Sequence, residues 1–498
     1  MKRRALTRIL QVIPLFVGLL ALGPLQGQEL RHEVGLRLRS LESTWNDASA
    51  EAKQRALPLV ERAVRSFFGF DLAGVAAGLD QARMRLVGEA GPARWFDSLS
   101  VQPVPRVVPG DRPLSLRISR VYTTSDPWPE AARLSVEAAD GSGARASFLT
   151  PVSVPLEPVT LALPWTLAAG DWTLTVQVFT GDELRRTWVD RISVQTAVDE
   201  RIDALERRLE ERPRPEVVTD SSAHRAATYV ATARVILARC RQVVAGSVPE
   251  LPFPVEADLR RAAELIARLE SIESAPLTAE PVAAGDQWWV VAHGGKQATV
   301  RMWVPEPALG VNGVTLATRP MVVAVHGLGG TENLFFESYG AGRVVDLCRQ
   351  RGWTLVAPKQ PLFGGMGLDA LVHALTELVR FDPRQVFIVG HSKGAGESLA
   401  AVQRSLSCFR AAALLGGGGR VASDAELQGF PFWIAAGERD FGLSMARRTH
   451  DALLARGARS QWTVIPNTEH LTVVADALPS VFRFFEAHVT DAPSSAEK

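Results

Sequence analysis

An α/β architecture is predicted for the C-terminal two fifths of the chain, and three observations predict it. Apolar runs of the fully buried kind, Met321 to Val325, Val386 to Val389, Ala411 to Leu415 and Pro431 to Ala436, alternate with stretches of helical period, the pattern of a mostly parallel sheet covered on both faces. Each run ends in a glycine-rich or polar loop. One such loop, Gly390-His391-Ser392-Lys393-Gly394, stands between a buried strand and a helix-compatible run beginning at Glu397. A serine on so tight a turn sits in a strained backbone conformation, and a Cβ two residues to either side would collide with it. Ser392 is therefore a candidate nucleophile, presented above the sheet at a helix N-terminus whose dipole favours developing negative charge.

The chain has 498 residues, enough for about two to four domains. A hydrophobic content of 46% with 22% charged residues is that of a globular protein. The net charge of +1 leaves no electrostatic case for nucleic acid or an anionic membrane. Met1-Lys2-Arg3-Arg4 and Arg8 precede an apolar core, Ile9 to Gly23, and Leu25-Gln26-Gly27 forms a cleavage site before Gln28. Residues 1–27 therefore read as a secretory signal peptide, with export to the periplasm or the exterior and no membrane span after its removal. Cys240, Cys348 and Cys408 cannot all pair within one chain and match no metal motif; they read as small apolar residues.

Residues 28–95 are predicted helical, with Leu57, Val60, Val64, Phe67 and Phe68 at helical spacing. Residues 101–196 change period. Leu114, Leu116 and Ile118 alternate with polar residues, as do Leu134, Val136 and Ala138, then Trp172, Leu174, Val176 and Val178. With the turn signal Asp140-Gly141-Ser142-Gly143, this predicts a small immunoglobulin-like β-sandwich, either a spacer or a surface for carbohydrate or polymer. Residues 197–280 return to helical period and read as a connector.

Residues 285–490 carry the candidate chemistry. Trp288 to Val291 and Thr299 to Val304 are expected to form an antiparallel pair. The strand from Met321 ends in His326-Gly327-Leu328-Gly329-Gly330, and the stretch from Leu368 to Arg380 is amphipathic. The strand from Pro431 leads into Gly437-Glu438-Arg439-Asp440. A last strand, Gln461 to Ile465, leads into Asn467-Thr468-Glu469-His470.

In this order of parts, the segment resembles the α/β-hydrolases. It is most similar to secreted esterases of the polyhydroxybutyrate-depolymerase and feruloyl-esterase type, and also to dienelactone-hydrolase and prolyl-oligopeptidase relatives. The resemblance implies a Ser392, Asp440, His470 triad, with Glu438 and Asp424 as competing acids. His470 would take the serine proton, Asp440 would hold its tautomer, and two backbone N–H groups would stabilise the oxyanion. Lys393 supplies one of these, and Leu328, or failing that Gly329, the other. Gly329, His391, Phe335 and Phe363 are candidate substrate contacts, with Phe336, Tyr339 and Met366 nearby. Lys393 replaces the small residue usual after the serine, and its ammonium is placed either in solvent or toward an acidic substrate group. No metal or organic cofactor is required. The implied reaction is hydrolysis of a small or polymer-linked carboxylic ester. A prolyl-oligopeptidase-like peptidase and an inactive scaffold acting through the sandwich are the alternatives.

Overall fold

The computed structural model describes residues 24–490, apart from 90, 111, 127–131, 153–158, 212–220, 273–281, 307–318, 362 and 363. Residues 1–23, most of the expected signal peptide, lie outside the described residues, as does Phe363. The described residues fall into two compact units. One lies within Met1–Leu41, Pro58–Arg212 and Ala233–Glu264, the other within Glu42–Leu57, Pro213–Thr232 and Leu265–Lys498. The helical regions 28–95 and 197–280 thus form no compact unit of their own.

In the first unit, strands Leu99–Val104, Ser115–Arg120 and Val159–Ala162 make a three-stranded sheet. Val107–Pro109, Glu183–Gln195, Gly170–Thr180, Ala132–Asp140 and Arg145–Val152 make a five-stranded one, in that spatial order. Burial alternates along Ala132–Asp140 and through the middle of Gly170–Thr180. One face of each strand therefore feeds a core, and Leu116, Ile118, Val136, Leu174 and Trp188 from both sheets share it.

The second unit is built on eight strands: β1 (Gly285–His293), β2 (Lys296–Val304), β3 (Met321–Val325), β4 (Thr354–Pro358), β5 (Val386–His391), β6 (Ala411–Leu415), β7 (Pro431–Gly437) and β8 (Arg459–Ile465). Their spatial order is β1-β2-β4-β3-β5-β6-β7-β8. β2 pairs antiparallel with β1 and β4, and every pairing from β4 to β8 is parallel. This is the α/β-hydrolase sheet. β3 to β7 are buried along their whole length, because helices cover both faces of a parallel sheet. Phe387, Trp353, Phe482 and Phe485 stack on one another in the core on one side.

Two elements differ from the sequence reading. The amphipathic stretch from Leu368 is helical only to Leu375, where bonds of the tighter i to i+3 kind take over, among them Leu378 N–H to Leu375 O at 3.0 Å. The helix after Ser392 begins at Lys393, not at Glu397, and runs to Arg404. Its glycines, poor helix formers in isolation, are tolerated because Gly394 packs directly on the carbonyls of Val325 and His326, where a Cβ would clash.

Candidate active site

Strand register assembles the site. Val325 of β3 is paired with Gly390 of β5, so two residues further on Gly327 lies opposite Ser392. A methyl group on Gly327 would stand 3.3 Å from Ser392 Cβ. β4 lies to one side of β3 and β5 to the other, so this loop pair sits where the strand order reverses, the crevice that open α/β sheets use for ligands.

Ser392 has φ 56° and ψ −118°, a strained conformation for a residue with a side chain. The surroundings enforce it. Ser392 N–H donates to Leu415 O at 2.9 Å, and a Cβ on Gly390 would collide with Gly394 O. The strain turns the serine side chain away from the sheet and toward the loop after β8. There His470 Nε2 lies 2.9 Å from Ser392 Oγ, and His470 Nδ1 donates to Asp440 Oδ1 at 2.7 Å. Gly442 N–H donates to the same carboxylate oxygen at 2.6 Å, which fixes the carboxylate and with it the imidazole. Asp440 and His470 are both buried.

The two competing acids are elsewhere. Glu438 is exposed, and its carboxylate accepts from Asn467 N–H at 3.3 Å. Asp424 is exposed after β6. Leu328 and Gly329 form the tip of a turn closed by Gly330 N–H to Gly327 O at 3.2 Å, and the Leu328 side chain is 48% exposed. Lys393 is the first residue of its helix, so its backbone N–H has no intrahelical acceptor. Its ammonium is ion-paired with Glu397 one turn on, and the pair is partly exposed.

Two candidate substrate contacts are corrected. Phe335 is fully buried in the core, its ring 4.7 Å from that of Tyr339. His391 is buried beneath the nucleophile, bonded to Tyr339 Oη and His470 O. Phe336, Tyr339 and Met366 are buried as well.

Sequence reasoning missed three residues. Phe441 lays its ring 3.9 Å from the His470 ring, centroid to centroid, and is 64% exposed. Its position next to Asp440 was the available signal. Glu469 is buried and accepts from the backbone N–H groups of Leu471 and Thr472, both at 2.9 Å; burial pushes its carboxyl up. The Tyr339 hydroxyl, in a residue named above only as near the candidate contacts, is a hydrogen-bonding group. Among the described residues, no group of three His, Cys, Asp or Glu is arranged to hold a metal ion, and no helix is long and apolar enough to cross a membrane.

No protein-family model and no curated protein matches the chain. Solved structures are similar to part of it. A feruloyl esterase module from Clostridium thermocellum is 12% identical over 44% of this chain and 94% of its own, with a TM-score of 0.35. An S-formylglutathione hydrolase from Staphylococcus aureus is 13% identical over 42% of this chain and 100% of its own, at 0.34. A bacterial heroin esterase is 16% identical over 47% and 93%, also at 0.34. The likeness is partial and the identity low, so the functional reading rests on this chain's own geometry.

Proposed function

We propose that this protein is a serine hydrolase that cleaves carboxylic esters through an acyl-enzyme on Ser392. The observation that carries this reading is the continuous line Asp440 Oδ1, His470 Nδ1, His470 Nε2, Ser392 Oγ, with separations of 2.7 and 2.9 Å. A serine hydroxyl is a weak nucleophile near neutral pH. His470 takes its proton as Oγ attacks the ester carbonyl, and Asp440 stabilises the imidazolium that results. The tetrahedral oxyanion is held by the backbone N–H groups of Lys393 and Leu328. His470 then protonates the leaving alcohol. Water, activated by the same histidine, releases the acid.

The exposed residues Leu328 and Phe441, the latter against His470, give the mouth of this site an apolar character suited to an uncharged ester. Lys393, the cation next to the nucleophile in the chain, is paired with Glu397, which fits an uncharged substrate better than an acidic one. Export belongs to the same proposal and rests on the basic and apolar N-terminus, with cleavage before Gln28.

The test is covalent labelling by a fluorophosphonate probe, followed by hydrolysis of p-nitrophenyl esters of rising chain length against aminoacyl anilides. Labelling lost in Ser392→Ala and turnover of esters only are expected. Label retained in that variant, or preferential anilide cleavage, overturns the reading.

A further inference from the structure

Beneath the nucleophile lies a second line of hydrogen bonds that the proposed chemistry does not use, and its direction can be worked out. His391 Nε2 lies 2.7 Å from the main-chain oxygen of His470. A carbonyl only accepts, so Nε2 carries the proton. A neutral imidazole then has Nδ1 as acceptor, and the group at 2.6 Å from it is Tyr339 Oη, which must donate. The Tyr339 oxygen is left to accept, and Gly327 N–H points to it at 3.4 Å. The line therefore runs one way, from Gly327 N–H through Tyr339 O–H and His391 to the His470 carbonyl. It joins the oxyanion loop, the residue before the nucleophile and the backbone of the catalytic histidine.

Tyr339 is placed there at a conformational cost. Tyr339, Gly340, Ala341 and Gly342 have φ values of 53°, 87°, 55° and 84°, a left-handed run in which two residues carry side chains. The run is held by Asn46 Nδ2 donating to Gly340 O at 2.8 Å and by Ala341 N–H donating to the buried carboxyl of Glu42 at 3.4 Å.

We propose that Tyr339 is a positioning residue for the reaction at Ser392. Its hydroxyl fixes His391 as the Nε2–H tautomer, and His391 in turn holds the backbone of His470 in line with the serine while the same hydroxyl holds the oxyanion loop. The proposal rests on the serine-hydrolase reading above. The titratable groups facing His391 are Tyr339, His326, His470 and, across Gly416, Asp440. Burial, and then the neighbouring His470, keep the His391 imidazole neutral. In Tyr339→Phe the Nδ1 lone pair loses its donor, and the imidazole is held only by its bond to the His470 carbonyl. The His391 ring, its centroid 4.7 Å from that of His470, is then free to turn and to release the His470 backbone.

The test compares wild type, Tyr339→Phe, His391→Gln, His391→Leu and the Tyr339→Phe/His391→Leu double variant in ester turnover. Active enzyme is counted by fluorophosphonate labelling, and melting temperature is measured alongside. Tyr339→Phe is expected to lose about 10- to 100-fold in kcat with KM unchanged. Gln can donate to the His470 carbonyl and accept from Tyr339. His391→Gln is therefore expected to exceed His391→Leu by about tenfold or more in kcat, and adding Tyr339→Phe to His391→Leu should cost less than adding it to the wild type. An unchanged kcat in Tyr339→Phe, or the same fold loss on the Leu background, overturns the proposal. If Tyr339→Phe does not fold, the Gln and Leu variants decide, and equal kcat values overturn it. A wild type that neither labels nor turns over esters defeats the serine-hydrolase reading itself, a result distinct from either.

Discussion

Each compact unit buries a network of polar side chains, and the two networks are built from different groups. In the first unit Arg37 is buried with Glu33 and Asp80. Its guanidinium donates to Asp80 at 2.9 Å, to Glu33, and to the carbonyls of Asp97 and Leu99 at 3.0 and 2.9 Å. Tyr122 adds a bond to Asp80 at 2.7 Å. Burial alone would raise the Glu33 carboxyl, but Arg37 and Ser100 outweigh it and the net direction is down. The central group of this network is an arginine, which never gives up its proton. In the second unit the network is of imidazoles, a phenol, a serine and one carboxylate, most of which both donate and accept. The first holds structure. The second includes the line Asp440, His470, Ser392 through which the proposed reaction moves a proton, and it ends at a serine that is only partly buried. Burial and polarity alone therefore do not mark a site; the capacity to change protonation state, next to an opening, does.

That contrast can be broken at four points, from the largest expected effect to the smallest. Asp440→Asn keeps the shape of the proton-passing network but reverses the tautomer that His470 needs. A fall of about 10⁴-fold in kcat is expected, with melting little changed, and steady-state kinetics on an activated ester measures it. Arg37→Met takes the guanidinium from between two buried carboxylates and leaves Asp80 with Arg186, the more distant cation at 3.8 Å, and a loss of about 3–5 kcal/mol in unfolding free energy is expected from denaturant titration of the first unit's transition. A loss below about 1 kcal/mol, the level of a surface pair, would show that this network is not holding structure.

Glu42 gives the third point, through pH. Burial, opposed by backbone N–H groups of the Tyr339 loop, pushes its carboxyl from 4.5 up to about 8. The folded chain therefore holds a proton that the unfolded chain releases above about pH 4.5. The stability due to this group is present below that pH and is lost as the pH rises toward 8, at no more than about 1.4 kcal/mol per unit. Glu42→Gln, which copies the neutral acid, should flatten that slope in melting temperatures taken from pH 5 to 8. The fourth point is Lys393→Ala. It removes the ion pair with Glu397 but keeps the backbone N–H, so less than about 1 kcal/mol of stability and less than about tenfold in kcat on a neutral ester are expected to change.

Residues whose placement follows from backbone periodicity were legible in the sequence. Val386 to Val389 read as a strand buried on both faces, and they form one. Leu134, Val136 and Ala138 read as alternating, and each points into a core. Ser392 stood out by its glycine-flanked turn, and the resemblance to the α/β-hydrolases implied Asp440 and His470, each of which follows a strand of the parallel sheet. A parallel sheet delivers all its strand ends to one edge, so residues far apart in the chain become neighbours without any local signal beyond their place in the order.

The sequence by itself determined this alternation of strand and helix and the glycines around Ser392, since these depend on local period and on the steric demand of one turn. Only the tertiary structure decided what each side chain faces. It turned Phe335 and His391 inward, committed Lys393 to Glu397 and laid Phe441 against His470. It also brought Tyr339, 52 residues from His391 in the chain, to 2.6 Å of its ring. The reason is physical. A strand's period states which face a residue takes, whereas the partner across that face is set by close packing between segments distant in sequence, and no local pattern encodes it.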